Sequence, residues 1–140
     1  SRSAEIATAW LGEIRENPST STLAGYEGRW LRGETEVALR GLGRRLRQDA
    51  SADEVKAYYR HWGVELASRG CPLHESLSGL SLLKRAIWRG ARGTGAWERP
   101  VEAYRILEMF TVVGVFFDRA AYHTARGYEE FVRSRPKRGA

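Results

Sequence analysis

The sequence predicts an all-α protein of about five main helices with a long C-terminal one, and three observations carry that prediction. Apolar residues recur at three- and four-residue spacing in every strongly patterned stretch, which is the period of a helix with one buried face. Helix-start signals stand at the heads of those stretches: a Ser51–Glu54 capping box, and prolines at 72 and 100. No run alternates with the period of two that a strand requires, and the chain has no internal repeat.

The elements follow in order. Ser3 is placed to cap a first helix whose stripe is Ile6, Trp10 and Ile14, ended by Asn17-Pro18. The segment PSTSTLAGYEG reads as a loop with a helical turn, with Leu23, Tyr26 and Trp30 packing back onto the core. A second helix is expected over residues 33–48 with Leu39, Leu42 and Leu46 inward. Gly41 and Gly43 weaken it by roughly 1 kcal/mol each relative to Ala. The capping box opens a third helix with Val55, Tyr58, Tyr59, Trp62 and Leu66 on one face, closed by Gly70. Pro72 starts a fourth, carrying Leu73, Leu77, Leu80, Leu83, Ile87 and Trp88, which RGARGTG (residues 89–95) ends. Pro100 starts the fifth, which reaches to about Arg133 and is therefore roughly 50 Å long at ~1.5 Å per residue.

The chain has 140 residues, 42% of them hydrophobic, with five Trp, six Tyr and four Phe. That is enough for one domain with a real core that folds without disulfides or metal. Residues 1–133 form the expected domain, and 134–140 a basic tail or the start of a linker to an output domain. The single cysteine, Cys71, has no intramolecular partner. With no signal peptide in the sequence, a reducing cytoplasm is the expected compartment. The longest apolar stretch, Ile106 to Phe117, contains Glu108 and falls short of a bilayer span, so no membrane is implied. Lys and Arg outnumber Asp and Glu by 23 to 17, a surplus that raises an anionic partner as a question.

Each chemical candidate has a plainer reading beside it. His61, His74 and His123 stand on three different helices, with no HExxH-type pairing. The plain reading is three ordinary imidazoles and no metal. The sharper alternative is a haem-binding gas or redox sensor with His61 or His74 as axial ligand. Cys71, beside a helix start, has a setting that lowers a thiol pKa, but it lacks a resolving cysteine and is expected to be structural. Arg40, Arg44, Arg45 and Arg47 cluster on one helix, and Arg85, Arg89 and Arg92 on another. Nucleic-acid readout would need stacking aromatics on an exposed face, and the aromatics here fall on core stripes, which argues against it. No P-loop, GxGxxG, GxSxG or paired-carboxylate arrangement is present, so no enzyme and no cofactor are expected.

The stretch YYRHWGVELASRGCPLHESLSGLSLLKRAIW, Tyr58 to Trp88, together with FFDRAAYHTARGYEEF and AWLGEIRENPST, resembles the N-terminal domain of the RsbR/RsbRD class. These are non-haem, globin-like sensor modules that precede output domains in bacterial signalling proteins. The resemblance covers nearly the whole chain and rests on the order and spacing of its parts. It implies a globin-like helical fold, a homodimer, and a downstream STAS, histidine kinase or similar domain, or a partner signalling protein. It implies no catalytic residue and no established ligand. The glycines of the second helix, Gly33, Gly41 and Gly43, depart from the pattern.

The last helix also has a pattern of its own. Phe110, Phe117, Thr124 and Phe131 recur every seven residues, interleaved with Gly114, Ala121 and Tyr128. That is the spacing of a coiled-coil seam. Its first half is apolar on several faces, its second half charged outside the seam. The expectation is a first half packed inside the domain and a second half that leaves the core to pair with another copy. Arg126/Glu130 and Glu129/Arg133 are i,i+4 pairs that support the exposed face.

Overall fold

A computed structural model describes residues 2–47, 51–92 and 98–135. Among them are six α-helices and no strand: α1 (Arg2–Glu16), α2 (Ser21–Ala24), α3 (Gly28–Leu46), α4 (Ala52–Ser68), α5 (Leu73–Arg92) and α6 (Pro100–Ser134). All but α2 have 15 residues or more, so the five long helices read from periodicity are present. The tail residues Lys137 and Arg138, the expected helix end at Gln48, and residues 93–95 of RGARGTG lie outside the described residues.

Local signals account for most of the boundaries. Ser51 Oγ accepts the Glu54 N–H at 3.2 Å and so caps α4. Gly70 ends it at φ 78°, a left-handed conformation that glycine adopts without strain. The carbonyl of Pro72 accepts the N–H groups of both Glu75 and Ser76, each at 3.1 Å, so the proline sits one position before α5 rather than inside it. Between α1 and α3 the expected loop is ordered as a 3₁₀ turn (Pro18–Thr20) followed by α2. Asn17 Oδ1 accepts the Ser19 N–H at 2.9 Å at its start. The buried Glu75 accepts the Thr22 N–H at 2.7 Å, which ties α2 to α5.

Two further boundaries differ from expectation. Ser3 lies inside α1, which starts at Arg2. The second long helix starts at Gly28, five residues before Gly33, because Trp30 and Leu31 belong to its stripe; its buried residues are Leu31, Thr35, Ala38 and Leu42. Leu39 and Leu46 are only half-buried against the core.

The core is shared by all the long helices. Trp10 and Ile14 of α1, Leu31 and Leu42 of α3, Tyr59, Trp62 and Leu66 of α4, Leu80 and Leu83 of α5, and Val113, Phe116 and Phe117 of α6 form one continuous cluster. Trp10 also donates its indole N–H to the Gly79 carbonyl at 2.8 Å, so the ring gains apolar burial without an unmade hydrogen bond. The most extensive packing between any two helices is that of α4 against α6.

Candidate functional site

The α4–α6 contact is built on glycine. A Cβ at Gly63 would stand 2.0 Å from the Thr124 carbonyl oxygen, and one at Gly127 would stand 2.0 Å from that of Arg60. The two backbones therefore meet in reciprocal fashion, each helix supplying the residue without a side chain where the other's carbonyl arrives. Arg60 of α4 grips the Glu130 carboxylate of α6 with two N–H groups. The Arg60 hydrogen bond lowers the Glu130 carboxyl below its ordinary range. Further along, Tyr128 donates its hydroxyl to the Cys71 carbonyl at 2.7 Å, which closes the far end of the contact.

This arrangement differs from the expected division of α6, because the second half stays on the domain and the first turns do not enter the core. Its buried residues are Val113, Phe116, Phe117, Ala120, Thr124 and Gly127, so burial begins in the middle of the helix and continues toward its C-terminus. Residues 101–112 include none that is buried. Of the seven-residue series, Phe117 and Thr124 are buried in the chain's own core, and Ala121, Tyr128 and Phe131 are half-buried. Phe110 is 52% exposed, although its ring stacks on Trp88 at 4.5 Å. The seam is thus filled from Phe117 onward by α4 of the same chain. Charge on its flanks does not mean departure from the core, because Glu130 pairs with Arg60 rather than with Arg126. The pair Glu129–Arg133 forms as expected, at 3.1 Å.

What α6 leaves uncovered is its other face. Val101, Tyr104, Leu107, Val112, Val115 and Tyr122 are all exposed, Tyr104 by 64% and Val115 by 47%. They lie opposite Val113, Phe117 and Ala120 around the helix. Within this face Val101, Tyr104, Glu108, Thr111, Val115, Asp118 and Tyr122 follow alternating steps of three and four, the spacing of a helix-pairing seam. Gly114, on the same side, has nothing among the described residues within 4 Å of the position of a Cβ. Beside it lies a groove of about 420 Å³ whose lining includes Lys56, Val112, Val115, Arg119 and His123. Burial, and then the nearby cations Lys56, Arg60, Arg119 and Arg126, push the His123 pKa down.

Residues 4–138 match the RsbT co-antagonist protein rsbRD N-terminal domain. The chain belongs to this family. No curated protein and no solved structure matches it. As an rsbRD N-terminal domain it falls in a regulatory rather than an enzymatic family. Among the described residues no helix is long and apolar enough to cross a membrane.

In this rsbRD domain the two histidines of the haem alternative do not face the interior cavity. His61 and His74 are both solvent-exposed, and the cavity's volume is about 30 Å³. Cys71 is fully buried, and burial raises its thiol pKa, which overrides the helix-start effect expected from sequence. Of the arginines proposed to hold nucleic acid, Arg44 pairs with Glu54 at 3.0 Å and Arg89 with Glu13, so both clusters are partly neutralised within the chain.

Two features of this domain were missed in the sequence. The outward face of α6 is written in its three-and-four spacing, but the seven-residue series on the same helix has the same kind of spacing and the sequence does not rank the two. The cavity beside Tyr59 has no sequence signature, since aromatic stripes look the same whether or not they close on each other.

Proposed function

We propose that this chain is the regulatory sensor module of a signalling protein, that it dimerises through the outward face of α6, and that it passes its state along α6 to an output domain. The observation that carries the reading is the exposed apolar face of Val101, Tyr104, Leu107, Val112 and Val115 on a helix whose opposite face is locked onto α4. Contiguous exposed apolar surface of this kind marks an interaction site. Membership of a regulatory family supports the same reading, and the globin-like character expected from the resemblance belongs to it.

Charge favours a second copy as the occupant. Arg105, Glu108, Asp118 and Arg119 are all exposed along the face. Parallel stacking would set each of them against its own copy, whereas antiparallel packing centred near Thr111 and Val112 brings Glu108 near Arg119 and Arg105 near Asp118 of the other copy. Gly114, which no contact among the described residues requires, admits the close approach of another backbone. A shift in how the two copies pack would move both α6 helices as rigid bodies, because each carries α4 with it.

Sedimentation equilibrium at micromolar concentration tests this. The wild type should run at twice the 15.8 kDa protomer mass. Replacing Leu107 and Val115 together by Lys should give a monomer with an unchanged melting temperature. A wild type that stays monomeric contradicts the proposal.

A further inference from the structure

On the outer surface, between α5 and the first half of α6, lies a groove of about 510 Å³. Its lining takes Lys84, Arg85, Trp88 and Arg89 from α5, and Leu107 and Phe110 from α6. With Ser81, the α5 residues follow helical spacing, so they form one stripe turned away from the buried Leu82, Leu83, Ala86 and Ile87. The floor is apolar. Leu107 and Phe110 are both more than half exposed, and the half-buried Trp88 stacks on the Phe110 ring at 4.5 Å.

Charge around this floor has one sign. The lining holds Lys84, Arg85 and Arg89 and no carboxylate. Arg89 is paired with Glu13, whereas neither Lys84 nor Arg85 has an ion pair among the described residues. Large aromatic side chains set beside arginine are the residues that dominate binding energy at protein interfaces. A trough between two helices suits a third helix with one apolar side. Single-stranded nucleic acid would need ring faces free for stacking, and here the two rings are stacked on each other.

We propose that this groove docks an acidic amphipathic helix of a partner protein. The apolar side of that helix rests on Trp88, Leu107 and Phe110, and its carboxylates meet Lys84 and Arg85. Ser81 and Arg89 stand eight positions apart, about 12 Å along α5 at ~1.5 Å per residue, so the contact occupies roughly two turns of the incoming helix. Apolar residues at i, i+4 and i+7, with Asp or Glu beside them, fit such a contact. The groove shares Leu107 with the pairing face of α6, but the inference stands on the charged stripe of α5 and does not require the dimer.

The probe is a short fluorescent Ala-rich helical peptide with Leu at i, i+4 and i+7 and Glu on either side, titrated with the whole chain and read by anisotropy. Binding should saturate and weaken as salt is added, and the same peptide with Lys for Glu should not bind. Lys84→Glu combined with Arg85→Glu should raise the Kd about ten-fold at an unchanged melting temperature, since neither side chain is buried. Phe110→Ala should weaken binding by a similar factor; if that variant fails to fold, the charge reversal decides alone. No saturable binding by the wild type, or a Kd that the charge reversal leaves unchanged, overturns the proposal. Tighter binding of a single-stranded oligonucleotide or of anionic phospholipid vesicles, lost in the same double variant, also overturns it and assigns the groove to nucleic acid or membrane. Sedimentation of the same samples separates the two readings. Peptide binding by a strict monomer keeps the groove and removes the dimer, whereas a dimer that ignores the peptide loses the groove alone.

Discussion

Glycines at Gly63 and Gly127 are required by their surroundings, whereas those at Gly33 and Gly41 are not. At the first two a methyl group would overlap a backbone carbonyl of the facing helix, and neither helix can retreat without opening the core on both sides. Gly63→Ala and Gly127→Ala should each cost about 1–3 kcal/mol or more, seen as a large fall in melting temperature. Gly41→Ala meets nothing within 4 Å and should be neutral or gain about 0.5–1 kcal/mol from helix propensity. The glycine-rich look of the second long helix is thus no sign of close approach. The signal was in the other two, each set inside a strong helical pattern. Phe117→Ala removes a buried ring and should cost roughly 3–5 kcal/mol. Tyr128→Phe should also act on folding, by about 1 kcal/mol, since its hydroxyl holds the Cys71 carbonyl. Its effect on pairing, which the seven-residue series led one to expect, should be small.

Among elements, α6 separates what periodicity reveals from what it hides. Its existence, its start at Pro100 and its length were legible because proline at the first turn and sustained three-and-four spacing are local properties. Which half is embedded was not. Phe116 and Phe117, deep in the core, and Val112 and Val115, out in solvent, are equally apolar in the sequence, and only the position of α4 distinguishes them. For the same reason Arg126 was an obvious partner for Glu130, while Arg60, distant in sequence, is the actual one. The elements therefore divide the consequences of mutation. Lys at Leu107 or Val115 should weaken self-association with little change in stability, whereas Ala at Phe117 should do the reverse, as melting and sedimentation on the same variants would reveal.

For the whole molecule, acid should loosen the α4–α6 unit in two steps. His123 has a pKa lowered from its ordinary 6.5, so the unfolded chain binds its proton more readily and stability falls as pH drops below about 6.5. Glu130 has a pKa lowered from 4.5; its contribution is complete above that value and is lost as pH falls through the folded pKa below it. Melting temperature against pH should show both declines, His123→Gln removing the upper and Glu130→Gln the lower. A profile unchanged by either substitution would mean that these groups do not feel the surroundings described.

The central claim is that the free surface of this molecule is the outward face in the first half of α6, not the end of the helix. Amide hydrogen exchange measured at low and at high protein concentration tests it most directly. Residues 101–115 should gain protection with concentration, while 120–131, already held by α4, should be protected equally at both. Concentration-dependent protection confined to 124–131, or none anywhere along α6, would contradict it.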